Sequence, residues 1–132
     1  NYNNGLYKIV YDYLKTKKIS YFGSNKTMRE YIHIKDAAKS CVDVLRKNFT
    51  NKVVVITGKK KIYVKKLLAL FSSLLGYKRK IYFKNIEKPN HYEKTPYSFI
   101  PKFGIKYHSK NNIELKNGLK ELIYVIKKEK KI

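Results

Sequence analysis

Four stretches of this chain repeat apolar residues at helical spacing, and short alternating or continuous apolar runs lie between them. Leu6, Ile9, Val10, Tyr13 and Leu14 form one stripe, which predicts an amphipathic helix from about Gly5 to Lys17. A second helix is expected to open at Ala37, with Ala38, Cys41, Val42 and Leu45 as its buried stripe and Asn48 to Asn51 as its end. The third, from about Tyr63 to Leu75, turns Val64, Leu67, Leu68, Phe71 and Leu75 inward and stops at Gly76, which tolerates the left-handed turn that ends helices. The last runs from about Ile113 to Lys127 with Asn112 as its cap and Leu115, Leu119, Leu122, Ile123 and Ile126 on one face. Lys127 to Lys131 then reads as a solvated, fraying tail.

Strands are expected at Ile19–Phe22, at Lys80–Phe83 and through the β-branched run Lys52–Gly58, whose lack of alternation suits a buried parallel strand. Between Asn85 and Asn112, Pro89, Pro96 and Pro101 prevent long regular elements. Alternating strands and helices predict an α/β or α+β fold, a small mixed sheet packed with about four helices, in a single domain over residues 1–132.

The segment that organises the chain is Met28 to Ala38. Ile32 and Ile34 alternate with Arg29, Tyr31 and His33, the pattern of a strand with one apolar and one polar face. Asp36 stands where an N-cap belongs, its carboxylate facing the free N–H groups of the helix that follows. A cation, a phenol and an imidazole beside a helix start make a place to hold an anion.

Composition narrows the function. The net charge of +22 invites a nucleic-acid reading. Yet 28 of the 31 basic residues are Lys, only Arg29, Arg46 and Arg79 are Arg, and acidic residues interrupt every long basic run. The joint excess of Lys, Ile, Asn and Tyr is what an AT-rich coding sequence gives, so nucleic acid is not the expected partner. The single cysteine, Cys41, excludes an internal disulfide and reads as a small buried hydrophobe. No stretch has the apolar length of a membrane span, since Leu67 to Tyr77 is broken by Ser72 and Ser73. No membrane partner is expected, no secretory leader is visible, and a cytoplasmic setting follows. A start at Asn1 rather than Met reads as a processed or trimmed chain, or a piece of something longer. His33, His91 and His108 lack metal-ligand spacing, and no nucleophile elbow points to a hydrolase.

Gly23 followed by Arg29-Glu30-Tyr31-Ile32-His33-Ile34-Lys35-Asp36-Ala37-Ala38 resembles a segment of the extended short-chain dehydrogenases/reductases, the NAD(P)-dependent nucleotide-sugar epimerases and dehydratases. Val54-Val55-Ile56-Thr57-Gly58 with Leu74-Leu75-Gly76 resembles that family's next strand and helix. Phe103-Gly104-Ile105-Lys106-Tyr107 with Ile113 to Leu119 resembles its closing segment, with Phe103 and Ser109 as departures. The resemblance runs from about Gly5 to Ile123 and implies the carboxy-terminal, substrate-binding half of such an enzyme, without a complete Rossmann domain. It further implies a nucleotide-sugar substrate, NAD or NADP in the full-length enzyme, a partner in the amino-terminal Rossmann half, and a setting such as surface-polysaccharide synthesis.

Two parts of that machinery are missing from the sequence. The six glycines, at 5, 23, 58, 76, 104 and 118, are too dispersed for the turn that cradles a dinucleotide pyrophosphate. The Tyr-x-x-x-Lys spacing of the family's catalytic pair occurs four times, as expected by chance with 13 Tyr and 28 Lys. No catalytic residue is assigned; the chain alone is expected to bind no cofactor and turn over no substrate. Deprived of sheet neighbours, it is also expected to be poorly stable or to associate. The resemblance implies that Arg29 contacts the diphosphate, as a guanidinium fork suits phosphate oxygens. His33 is a candidate ligand contact, and His91, Tyr92, Lys94 and Tyr97 form a loop suited to a base and a phosphate. A stand-alone basic nucleic-acid-binding module and a degenerate, non-catalytic scaffold are the alternatives.

Overall fold

The structure, a computed structural model, describes residues 4–78, 81–84 and 104–131. The amino-terminal helix α1 (Gly5–Thr16) is capped by Asn4, whose side chain accepts from the Leu6 and Tyr7 N–H groups. Strand β1 (Ser20–Phe22) follows, then β2 (Met28–Glu30), α2 (Ile34–Asp43), β3 (Val54–Ile56), β4 (Lys61–Tyr63), α3 (Val64–Leu74), β5 (Tyr82–Lys84), β6 (Ile105–Tyr107) and α4 (Leu115–Lys130).

The strands pair two by two. β1 runs parallel to β5, β2 antiparallel to β4, and β3 parallel to β6. The mixed α/β class is as the sequence leads one to expect, with four helices among the described residues.

One core is built where α1, α3 and α4 meet. Val10, Ile19, Val64, Leu67, Leu68, Phe71 and Ile126 are wholly buried there, with Leu14, Leu119 and Ile123 beside them. These are the stripes that helical spacing marks on those three helices. Gly76, at φ +65°, supplies the left-handed stop after α3.

The structure corrects several boundaries. Helix α2 opens at Ile34 rather than Ala37, because His33 is its N-cap: the Lys35 N–H donates to His33 Nδ1 at 3.3 Å. Asp36 is therefore not a cap. It lies in the first turn, buried, and its Oδ2 accepts from the Ile113 N–H at 2.8 Å, which ties α2 to the approach to α4. Helix α4 opens at Leu115 with Glu114 in the cap position, rather than at Ile113 with Asn112 as cap, and runs on to Lys130, so most of the expected tail is helix. Strands β4 and β6 lie in segments that read as turn and loop; each is three residues long, too short to show a period.

The largest correction concerns α2 itself. Its expected buried stripe is exposed: Val42 and Leu45 are 67% and 83% accessible, Ala38 and the Cys41 thiol are exposed, and Ile34, expected in a strand, joins them at 76%. The face turned to the protein is the polar one, with Asp36 and Ser40 buried. Ser40 Oγ accepts from the Ser109 N–H at 3.2 Å, and Asp43 Oδ2 accepts from the Tyr107 hydroxyl at 3.0 Å. Polar anchors, not apolar packing, hold this helix onto β6 and the residues that follow.

Candidate anion-binding cleft

The backbone leaves β2 at Glu30, and Tyr31 to His33 cross to the start of α2 in extended conformation. Gly58, just beyond β3, lies against that crossing, where a Cβ would run into the Tyr31 carbonyl oxygen. Only glycine lets the two segments approach so closely. The chain then swings through Lys59 and Lys60 into β4, and residues 110–116 close the third side.

The cleft so formed has a volume of ≈ 730 Å³, in the range of small-molecule sites. Tyr31, Ile32, His33 and Asp36 form one wall, Gly58 to Ile62 the second, and Lys110 to Lys116 the third. Five lysines, at 59, 60, 61, 110 and 116, line it against two carboxylates, Asp36 and Glu114. With Asp36 engaged by the Ile113 N–H, the cationic rim dominates. Such a rim in a concave wall favours an anionic ligand.

Two groups of this wall are electrostatically marked. Burial pushes the Tyr31 phenol up to about 12, with the neighbouring Tyr21 adding to the rise and Arg29 opposing it. Tyr31 is thus a neutral hydroxyl at physiological pH, able to donate or accept. His33 Nε2 faces Glu121 Oε2 at 3.3 Å, and Glu121 Oε1 accepts from Lys35 Nζ at 2.9 Å. The hydrogen bond from Lys35, and then its charge and that of His33, hold the Glu121 carboxyl below its usual range. Since Nδ1 takes the Lys35 N–H, the proton of a neutral His33 resides on Nε2, toward Glu121. His33 lines the cleft with both ring nitrogens engaged. Gly118 makes room for that ring: a Cβ there would stand 3.1 Å from His33 Cδ2.

Arg29 does not line the cleft. Its Nη1 donates to the Met28 carbonyl at 2.9 Å, and it sits close enough to Tyr31 to lower that phenol's pKa. Its neighbour Glu30 is buried and accepts from Lys106 Nζ at 2.6 Å, joining the β2–β4 pair to the β3–β6 pair. His91, Tyr92, Lys94 and Tyr97 lie outside the described residues. The five lysines of the rim went unmarked in the sequence, because nothing but the fold separates them from the other lysines.

A dinucleotide cofactor finds no cradle among the described residues. Neither of the described strands that run on to a glycine opens a helix N-terminus whose amides could face a pyrophosphate: β1 leads past Gly23 to β2, and β3 past Gly58 to β4. Nor does any group of His, Cys, Asp and Glu among them suit a metal. No described helix is long and apolar enough to cross a membrane.

The arrangement of strand pairs and helices is that of part of the extended short-chain dehydrogenase/reductase fold. UDP-glucuronic acid 4-epimerase from Bacillus cereus, in complex with UDP-glucuronic acid and NAD, superposes with a TM-score of 0.77 over 98% of this chain and 41% of its own, at 18% identity. dTDP-glucose 4,6-dehydratase from Bacillus anthracis, in complex with NAD, gives 0.75 over 98% and 41%, also at 18% identity. A GDP-L-fucose synthetase from Naegleria fowleri, bound to NADP, gives 0.63 over 95% and 39%, at 14% identity. At these identities the likeness is one of fold. The chain spans about two-fifths of the length of these enzymes. No protein-family model matches the sequence, and no curated protein matches it.

Proposed function

We propose that residues 1–132 are the substrate-binding portion of an NAD(P)-dependent nucleotide-sugar epimerase or dehydratase, with the cleft between Tyr31, Gly58 and residues 110–116 taking the diphosphate of the nucleotide-sugar. The observation that carries the reading is the ring of five lysines around a cleft of this size, on a fold shared with enzymes that act on UDP-, dTDP- and GDP-linked sugars. The lysines neutralise the diphosphate, and the neutral Tyr31 hydroxyl offers a directed hydrogen bond beside them. The loop bearing His91, Tyr92, Lys94 and Tyr97 adds contacts to the diphosphate and the base, while Arg29, behind Tyr31, contributes its charge from outside the cleft. Hydride transfer and proton transfer belong to the remainder of the enzyme. Binding energy from the remote nucleotide positions the sugar for that chemistry.

Calorimetric titration with UDP, UMP and uridine tests the reading. Saturable binding in the order UDP, UMP, uridine is expected, with Lys60→Gln/Lys110→Gln weakening UDP at least tenfold and leaving uridine unchanged. Equal affinity for UDP and uridine would refute it. Tighter, steeply salt-dependent binding of a single-stranded oligonucleotide than of UDP would favour a nucleic-acid module instead.

A further inference from the structure

Helix α4 carries a positive ridge along its outer side. Lys116, Lys120, Tyr124, Lys127 and Lys131 fall within about 80° of one another around the helix axis, and all five are exposed. The ridge runs the length of the sixteen-residue helix, about 24 Å, while Leu119, Ile123 and Ile126 are buried in the core. Both carboxylates of the helix are engaged away from the ridge. Glu121 accepts from Lys35 Nζ and faces His33, on α2, and Glu129 accepts from the Tyr7 hydroxyl, on α1. Among the described residues no carboxylate pairs with a ridge lysine. The net charge of +22 puts lysine on every surface, so it is this uncompensated alignment around a 66% accessible Tyr124 that sets the ridge apart.

We propose that the ridge of α4 seats the chain on an anionic lipid surface, its lysines against headgroup phosphates and the Tyr124 ring among them. Charge complementarity selects an anionic partner, and shape selects which one. A straight convex ridge meets a plane along its whole length. Single-stranded nucleic acid is instead held in a groove lined with aromatic platforms, and its phosphates favour the guanidinium fork of Arg, which α4 lacks. Lysine suffices for a leaflet, where the attraction depends on positive charge close to the surface. Tyrosine, with an apolar ring and a polar tip, suits the boundary between headgroups and water. The apolar side of α4 is occupied by the core, so no part of the helix inserts and the attachment is peripheral. The expectation of no membrane partner rested on the lack of a spanning stretch, and a ridge that lies on headgroups needs none. The inference is independent of the proposed function.

Sedimentation of the 132-residue chain with phosphatidylcholine vesicles, with and without phosphatidylglycerol, tests it. Uptake by the phosphatidylglycerol vesicles that declines with added salt is expected, with none measurable on phosphatidylcholine alone. Each ridge lysine changed to Gln weakens partitioning about fivefold, so Lys120→Gln/Lys127→Gln loses about 25-fold. Lys47→Gln/Lys52→Gln removes the same charge from the exposed connection between α2 and β3, and is expected to change partitioning by less than about threefold. The chain has no Trp, so Tyr124→Trp is a single fluorescent reporter, and a blue-shifted emission is expected on the phosphatidylglycerol vesicles. Equal losses in the two double variants would overturn the proposal, because net charge alone would then hold the chain. So would an unshifted emission from Tyr124→Trp. A single-stranded oligonucleotide that strips the chain from the vesicles, and whose binding falls further than theirs in Lys120→Gln/Lys127→Gln, would overturn it in favour of nucleic acid.

Discussion

Asp36→Ala is the substitution with the most to say about how the cleft is held. The carboxylate is buried, and it accepts from the Ile113 N–H at 2.8 Å, which joins the first turn of α2 to the 110–116 wall. A hydrogen bond to a charged group contributes about 1.5–3 kcal/mol. A carboxylate in the first turn of a helix adds about 0.3–1 kcal/mol through the backbone dipoles. Losing both costs about 2–4 kcal/mol, and at about 3–5 °C per kcal/mol for a chain of this size the melting temperature falls by about 10 °C. Asp36→Asn retains an acceptor and gives about half that loss. Thermal melting measures the first quantity, and hydrogen exchange at the Ile113 amide, read relative to the amides of α3, separates local opening of the wall from global unfolding. A melting temperature within about 1 °C of the parent, or an Ile113 amide still as protected as before, would refute the assignment.

Other consequences are equally concrete. Gly58→Ala puts a methyl group into the Tyr31 carbonyl; a loss of about 2–3 kcal/mol in urea unfolding is expected, as for other overpacked sites, with UDP affinity falling because the Lys59–Lys61 wall must move. Lys106→Met takes the ammonium away from the buried Glu30 carboxylate, whose Oε2 has no hydrogen-bond partner among the described residues; it is expected to cost about 3–5 kcal/mol, while Glu30→Leu/Lys106→Met recovers most of that. The Tyr31 phenol, raised to about 12 from its ordinary 10.0, binds its proton more tightly folded than unfolded. Its contribution is therefore fully present below pH 10 and lost as pH rises toward 12. Denaturation midpoints measured from pH 9 to 12 should fall less steeply in Tyr31→Phe, and identical slopes would contradict the burial of the phenol.

What the sequence discloses follows from which forces are local. The stripes of α1, α3 and α4 face a core made by this chain, so periodicity finds them, and Gly76 marks the end of α3 through a backbone requirement no distant residue alters. Helix α2 obeys the same periodicity but faces the other way, because its orientation is fixed by polar anchors, Asp36 to Ile113 and Ser40 to Ser109, whose partners lie about seventy residues away. Spacing alone assigns its stripe to the interior. His33 in the cap position follows from the extended path of Tyr31 to His33 under Gly58, a tertiary contact with no local signal. The organising segment is legible as a strand that leads to a helix, and the structure sets its Tyr31 and His33, but not its Arg29, in the wall of the cleft. The lysines opposite them are not legible, since a rim drawn from β4 and from the approach to α4 exists only once the chain is folded.

The proposed diphosphate site is tested most directly by following backbone amide chemical shifts during titration with UDP and, separately, uridine. Saturable shifts at Gly58 to Ile62, at Tyr31 to His33 and at Lys110 to Lys116, with UDP but not with uridine, are the expected result. Shifts spread over lysine-bearing surfaces outside these three segments, or none at Gly58 to Ile62, would contradict it.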